Sequence, residues 1–179
     1  MITYEELRGI MPLAKQTTAA AYVPHLNAAM REFSIDNPLR EAAFLAQIAH
    51  ESGELRYVRE LASGEAYDTG RLAAKLGNTP EDDDDGRRYK GRGLIQITGT
   101  DNYRACGAAL GVDILAAPEL LEGVVLACRS AAWFWRGHGL NELADKGDFL
   151  LITKRINGGT NGYAERLRYY ERAKRIFAQ

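Results

Sequence analysis

Several shortages narrow what this 179-residue chain can be. Its two cysteines, Cys106 and Cys128, are too few for a disulfide framework and too isolated for a zinc site, so free thiols in a reducing cytoplasm are expected. A formal net charge of -1 gives no electrostatic ground for binding nucleic acid or an anionic surface. No apolar run approaches the roughly 20 residues of a membrane span, so no membrane insertion is expected. The first residues, MITYEELRGI, lack the basic segment and apolar core of a secretory signal. No repeat, linker or low-complexity tract divides the chain. The hydrophobic content of 46% is enough to bury a core, which points to one domain over residues 1–179.

What is present is organised around residues 36–60, DNPLREAAFLAQIAHESGELRYVRE. Asn37 suits a helix N-cap and Pro38 the first turn, where an amide donor would have no partner. The run AAFLAQIA from Ala42 to Ala49 is apolar nearly all round, which predicts a helix buried on most sides. Within one turn it delivers His50, Glu51 and Ser52, and Gly53 is the expected left-handed stop. Burial and the negative end of the helix dipole would both raise the pKa of Glu51, as a general acid requires.

Elsewhere the pattern predicts mostly helix. Thr3 and Glu6 have capping-box spacing for a first short helix. Residues 13–33 read as helix broken or kinked at Pro24, with Leu26, Ala29, Met30 and Phe33 on a core face. One short helix, Gly70–Leu76, is expected within the irregular stretch that follows Gly53. YKGRGLIQITG, residues 89–99, is the one strand signal. Further helices are expected over residues 100–110, from Pro118 to near Gly137 or Gly139, over residues 148–156 and over residues 163–177. The basic residues from Arg166 to Arg175 read as a solvated helix face, and Trp133, Phe134 and Trp135 as core.

The motifs exclude as much as they suggest. GRG is neither a phosphate loop nor a dinucleotide fingerprint, and His50-Glu51 has no second histidine at HExxH spacing. His50 and Ser52 have no GxSxG elbow. The acidic EDDDDG, residues 81–86, reads as a solvated loop, with a calcium site as the alternative although it lacks the alternating ligands and distal glutamate of an EF-hand. What stands out is a set of carboxylates after the buried helix: Glu51, Glu54, Glu60, Glu65 and Asp68. Glycoside hydrolysis needs two, one to protonate the leaving oxygen and one to activate water or attack carbon. Spacing alone does not choose the partner of Glu51.

FLAQIAHESGEL, YKGRGLIQITGTDNY and ITKRINGGTNGYAERLRYY occur in that order over roughly residues 40–175. Together they resemble the glycoside hydrolase family 19 chitinases, above all their short phage and prophage endolysin relatives. The resemblance implies a mainly α, lysozyme-like, two-lobed α+β fold with a small β-sheet lining a cleft. It implies inverting cleavage of β-1,4 bonds in N-acetylated glycans, with no cofactor and no metal. Carried over by position, Glu51 matches the general acid and Glu60 the general base, with Glu65 as the fallback. Thr98 matches the residue that helps hold the attacking water. Gln96, Asn102 and Asn157 match sugar-binding positions, Arg166 an arginine in the acid's network and His50 the histidine beside the acid. Asn161 stands where many chitinases have a glutamate in that network, and the plant enzymes' extra loops before the YxGRG segment are absent. The expectation is an endolysin acting on peptidoglycan as a monomer, held in the host cytoplasm until release through the inner membrane. The alternatives are a chitinase and a catalytically silent glycan-binding protein.

Overall fold

A computed structural model describes residues 1–178. They form α1 (Tyr4–Ile10), α2 (Gln16–Glu32), α3 (Pro38–Glu51), α4 (Gly70–Leu76), α5 (Asp85–Arg88), α6 (Thr100–Leu110), α7 (Val124–Gly137), α8 (Leu140–Asp145), α9 (Phe149–Asn157) and α10 (Tyr163–Phe177). Short 3₁₀ turns lie at Glu65–Tyr67 and Pro118–Glu122. The chain divides into two compact units, residues 1–56 with 132 onward, and residues 57–131.

The first unit is helical and built around α3. Asn37 Oδ1 accepts from Arg40 N at 3.0 Å and Pro38 opens the first turn, so the helix starts where its caps dictate. From Ala42 to Ala49 every residue is buried. Phe44, Leu45 and Ile48 are fully buried, each worth about 1.5–3 kcal/mol of apolar transfer. Phe44 meets the buried Trp135 edge-on, with ring centroids 5.4 Å apart, and α10 packs along α3. The Thr3–Glu6 capping box forms at α1.

Two expectations for this unit need correction, and one helix was not expected at all. Helix α2 runs through Pro24 without a break, because a proline removes only one donor and the buried Leu26, Ala29 and Met30 hold the face beyond it. The α10 surface is not uniformly solvated: Arg166, Tyr170 and Ala173 are buried while Lys174 is exposed. Helix α8, begun after Gly139 at φ +64, was not anticipated by periodicity because it is too short to show any.

In the second unit the expected strand and small sheet do not form. Only two isolated bridges are present, Arg59 with Arg92 and Arg92 with Ile97. Gly93 at φ +81 and Gln96 at φ +59 turn the chain back on itself within the GLIQI run. Arg92 and Ile97 therefore exchange backbone hydrogen bonds at 3.1 and 2.8 Å with each other instead of extending a ladder. Leu94, Ile95 and Ile97 are buried all the same, so the apolar signal was a core signal and not a strand signal. The helix expected from Pro118 is likewise two pieces, parted at Gly123 where the backbone is extended (ψ 140°). Cys106 and Cys128 are buried and unpaired, and burial raises the Cys106 thiol to about 12.

Candidate active site

The carboxylates after the buried helix are sorted by their surroundings, and each unit holds part of the predicted set. In the first unit Glu51 ends α3, and its Oε1 lies 2.6 Å from Arg166 Nη2. The Arg166 side chain is 3% exposed and that of Glu51 19%, so the guanidinium is sequestered while the carboxylate keeps an open side. Arg166 also donates to Gln47 Oε1 at 2.5 Å and to the backbone oxygen of Asn161 at 3.3 Å. Gln47, the only polar residue in the apolar run, donates in turn to Thr153 Oγ1 at 2.9 Å. All three guanidinium nitrogens and both ends of the Gln47 amide are thus bonded, which is what makes a buried charge tolerable. Beside the burial expected at the end of α3, Glu51 thus has the arginine partner that the family resemblance implies.

Asn161 joins the arginine through its backbone, so the missing family glutamate does not leave Arg166 without an acceptor there. Asn157 braces that oxygen, donating to it from Nδ2 at 2.8 Å, while its Oδ1 accepts from Gly159 N at 2.8 Å. With both ends of its amide used within the NGGTNG loop, Asn157 shapes that loop. His50 Nδ1 donates to Glu165 Oε2 at 2.5 Å, which places its proton on Nδ1 because an ionised carboxylate only accepts. A Cβ at Gly162, where φ is +70°, would sit 2.3 Å from the His50 ring, so glycine there serves both backbone and packing.

Glu54 and Ser52 are structural. Glu54 is buried, accepting from Leu13 N at 2.6 Å and Tyr169 Oη at 2.7 Å. Burial, and after it the bond to Glu54, raises the Tyr169 phenol above its ordinary range. Ser52 Oγ donates to Ile48 O and accepts from Leu55 N.

In the second unit Glu60 is half-buried and held at both oxygens. Tyr67 Oη donates to Oε1 at 2.9 Å and Gly91 N to Oε2 at 3.1 Å. Burial first, and then this bond to Glu60, raises the Tyr67 phenol. A Cβ on Gly91 would come within 2.8 Å of Gln96 Oε1 and 3.2 Å of Glu60 Oε2, so the close approach needs glycine. Glu65 is exposed and faces Arg87 at 3.3 Å. Thr98 Oγ1 donates to Gln96 O at 2.9 Å, which leaves its lone pairs to accept. Gln96 Nε2 donates to Gly93 O at 2.8 Å, and Asn102 Nδ2 to Thr98 O at 2.7 Å. Gln96, Thr98 and Asn102 therefore form one brace along the turn.

The local basic cluster is consumed within this unit. Arg92 pairs with Glu122 at 2.9 Å, Arg88 donates to Leu115 O, and Lys90 Nζ donates to Ala62 O. Sequence reasoning missed Tyr67 and Glu165. A tyrosine in an irregular stretch and a glutamate opening an amphipathic helix carry no local signal of their partners.

This fold is that of the chitinases. A bacterial family 19 chitinase superposes with a TM-score of 0.78 over 98% of this chain and 94% of that one, at 22% identity. A class IV chitinase from Zea mays gives 0.72 over 98% and 92%, at 24% identity. The glycoside hydrolase family 19 model, described as chitinase class I, matches residues 17–144, and the chain belongs to that family of glycoside hydrolases. A glycosyl hydrolase family 19 domain-containing protein of Haemophilus influenzae is 35% identical over 172 residues, covering 81% of this chain and 84% of that protein. An endochitinase of Arabidopsis thaliana, At2g43620, is 40% identical over 119 residues, which are 66% of this chain but 38% of the plant protein. Glu51, Glu60 and Thr98 fall inside the segment matched by the family model, whereas Asn157, Glu165 and Arg166 lie beyond it.

Proposed function

We propose that the chain is one catalytic domain that hydrolyses β-1,4 bonds in the glycan strand of peptidoglycan with inversion, acting as a phage-type endolysin. The observation that carries the hydrolytic reading is the contrast between Glu51 and Glu60 and the other carboxylates. Both are anchored yet accessible, while Glu54 is sealed in and Glu65 is a surface ion pair. The family model's match runs through both compact units, which supports a single catalytic domain.

In this reading Glu51 protonates the leaving oxygen. As its proton departs, charge develops on the carboxylate, and Arg166 at 2.6 Å stabilises it more in the transition state than before. While Glu51 holds the proton, the guanidinium keeps its bonds to Gln47 and to the Asn161 carbonyl. Glu60 takes a proton from the water that attacks the anomeric carbon. Tyr67 and the Gly91 amide fix the rotation of its carboxylate and leave the remaining lone pairs for that water. Thr98 accepts the water's second hydrogen, because its own is given to Gln96 O. No cofactor is needed, and a monomer suffices.

Peptidoglycan is favoured by the resemblance to short endolysins and by the short span between Glu60 and Tyr89, where the plant enzymes carry extra loops. A crosslinked polymer needs an uncrowded approach. The name endochitinase on the plant relatives supports chitin as a second reading. The protein would stay in the host cytoplasm until a separate membrane protein releases it to the wall. Clearing of outer-membrane-permeabilised cells, measured beside sugar release from colloidal chitin, decides the matter. Clearing without chitin cleavage is the expected result. The reverse would establish the chitinase, and neither would mean a silent glycan-binding protein.

A further inference from the structure

The acidic loop of residues 81–86 meets a residue that no motif links to it. Asp68, which follows Tyr67 at the end of the 3₁₀ turn, is 2% exposed. Its Oδ1 accepts from Gly86 N at 2.8 Å, but its Oδ2 is buried with no donor. Asp85 repeats the pattern: Oδ2 accepts from Thr79 N at 2.6 Å, and Oδ1 is buried without a partner. Asp83 completes the group, with one oxygen from each of the three carboxylates within 4.8 Å of the others.

A buried carboxylate oxygen with no donor is costly, and like charges at this spacing add to the cost. The nearby Arg87 does not supply the missing charge. It is drawn to Asp84 at 2.8 Å and Glu65 at 3.3 Å. We propose that Asp68, Asp83 and Asp85 bind one divalent cation, calcium by preference, which uses the buried Oδ2 of Asp68 and Oδ1 of Asp85. Calcium takes carboxylate oxygens at about 2.3–2.6 Å in a flexible geometry that suits three carboxylates on irregular backbone. Magnesium demands a near-ideal octahedron that an irregular loop does not offer. Zinc would want nitrogen or sulfur, and the group has neither.

The ion would tie the turn after Tyr67 to the loop from Thr79 to Gly86. It would thereby steady the tyrosine that donates to Glu60. The chemistry needs no metal, and the binding claim stands apart from the proposed reaction. Only the consequence for Glu60 rests on that reading.

The test uses the whole chain, stripped with EDTA and titrated with calcium chloride by calorimetry and thermal unfolding. One equivalent should bind, and a hundredfold excess over the dissociation constant should raise Tm by about 5–10 °C. Asp68→Asn should abolish both effects. Asp83→Ala, at an exposed position that folding tolerates, should abolish them too, and Asp82→Asn should leave them intact. Absence of heat and of any Tm shift in the wild type would overturn the proposal. So would a shift that survives Asp83→Ala or is lost in Asp82→Asn. Equal binding of magnesium chloride would overturn the choice of calcium.

Discussion

Glu51 and Glu60 belong to one short stretch of sequence and are held by opposite means. Glu51 ends a helix whose every turn is packed, and its anchor is a buried guanidinium wired to Gln47 and to the Asn161 carbonyl. Glu60 stands in irregular backbone, and its anchors are neutral: a phenol and one amide. The difference suits a division of labour. A group that must release a proton gains from a cation that stabilises the resulting charge. A group that must accept one gains from neutral donors that orient it without holding its negative charge too tightly.

The largest effect should come from breaking the charged side of this comparison. Glu51→Gln keeps shape and an acceptor for Arg166 but removes the proton and the anion. Turnover should fall about 10²–10⁴-fold. Because the guanidinium is buried, stability should also drop by about 1.5–3 kcal/mol, seen in denaturant unfolding. The neutral side should break differently. Glu60→Ala should lose comparable activity while stability stays within about 1 kcal/mol, since water can replace the carboxylate beside a half-buried tyrosine. Added azide should restore turnover and give an α-glycosyl azide. Glu65→Ala should change neither activity nor stability, and azide rescue in Glu65→Ala instead would move the base there.

Smaller changes sharpen the same contrast. Thr98→Val should lower the turnover number about tenfold, the worth of one hydrogen bond, with little change in glycan binding. Tyr103, buried beneath the Gly91–Gly93 turn region, donates to Lys90 O at 2.7 Å and accepts from Arg92 Nη1 at 3.0 Å. Burial raises its phenol from 10.0 to about 12, against the opposing pull of Arg92. Between those values the unfolded chain has lost the proton and the native chain keeps it. The stability this contributes is therefore complete below about pH 10 and is lost as pH rises toward about 12. Tyr103→Phe should flatten that alkaline decline in urea titrations and leave activity at neutral pH nearly unchanged.

The two regions also differ in how far they can be read from sequence. Around Glu51 the signals are local: Asn37 and Pro38 start α3, an apolar run buries it, and Gly53 at φ +56 ends it. Each depends on neighbours within a turn or two, so pattern and structure agree. Around Glu60 the signals are relational. GLIQI has the composition of a strand, but Gly93 and Gln96 in left-handed conformations fold it into a turn, and no window of sequence reports that. Tyr67 reaches Glu60, and Asp68 reaches Asp83 and Asp85, only because irregular backbone brings them together. Arg166 combines both cases. The pattern of α10 put it among surface charges, and only the resemblance to a family linked it to Glu51; its side chain is buried, with Nη2 2.6 Å from the Glu51 carboxylate.

In the proposed reaction Glu60 acts on water and not on carbon. When the acid protonates the leaving oxygen and the base activates a water on the opposite face, that water inverts the anomeric centre, whereas a nucleophile forms a glycosyl intermediate and retains it. The direct measurement is proton NMR of the products from a soluble β-1,4 N-acetylglucosamine oligomer during the first minutes, before mutarotation blurs them. The α-anomer should appear first. Initial β-anomer would contradict it and remove Glu60 as a base acting through water.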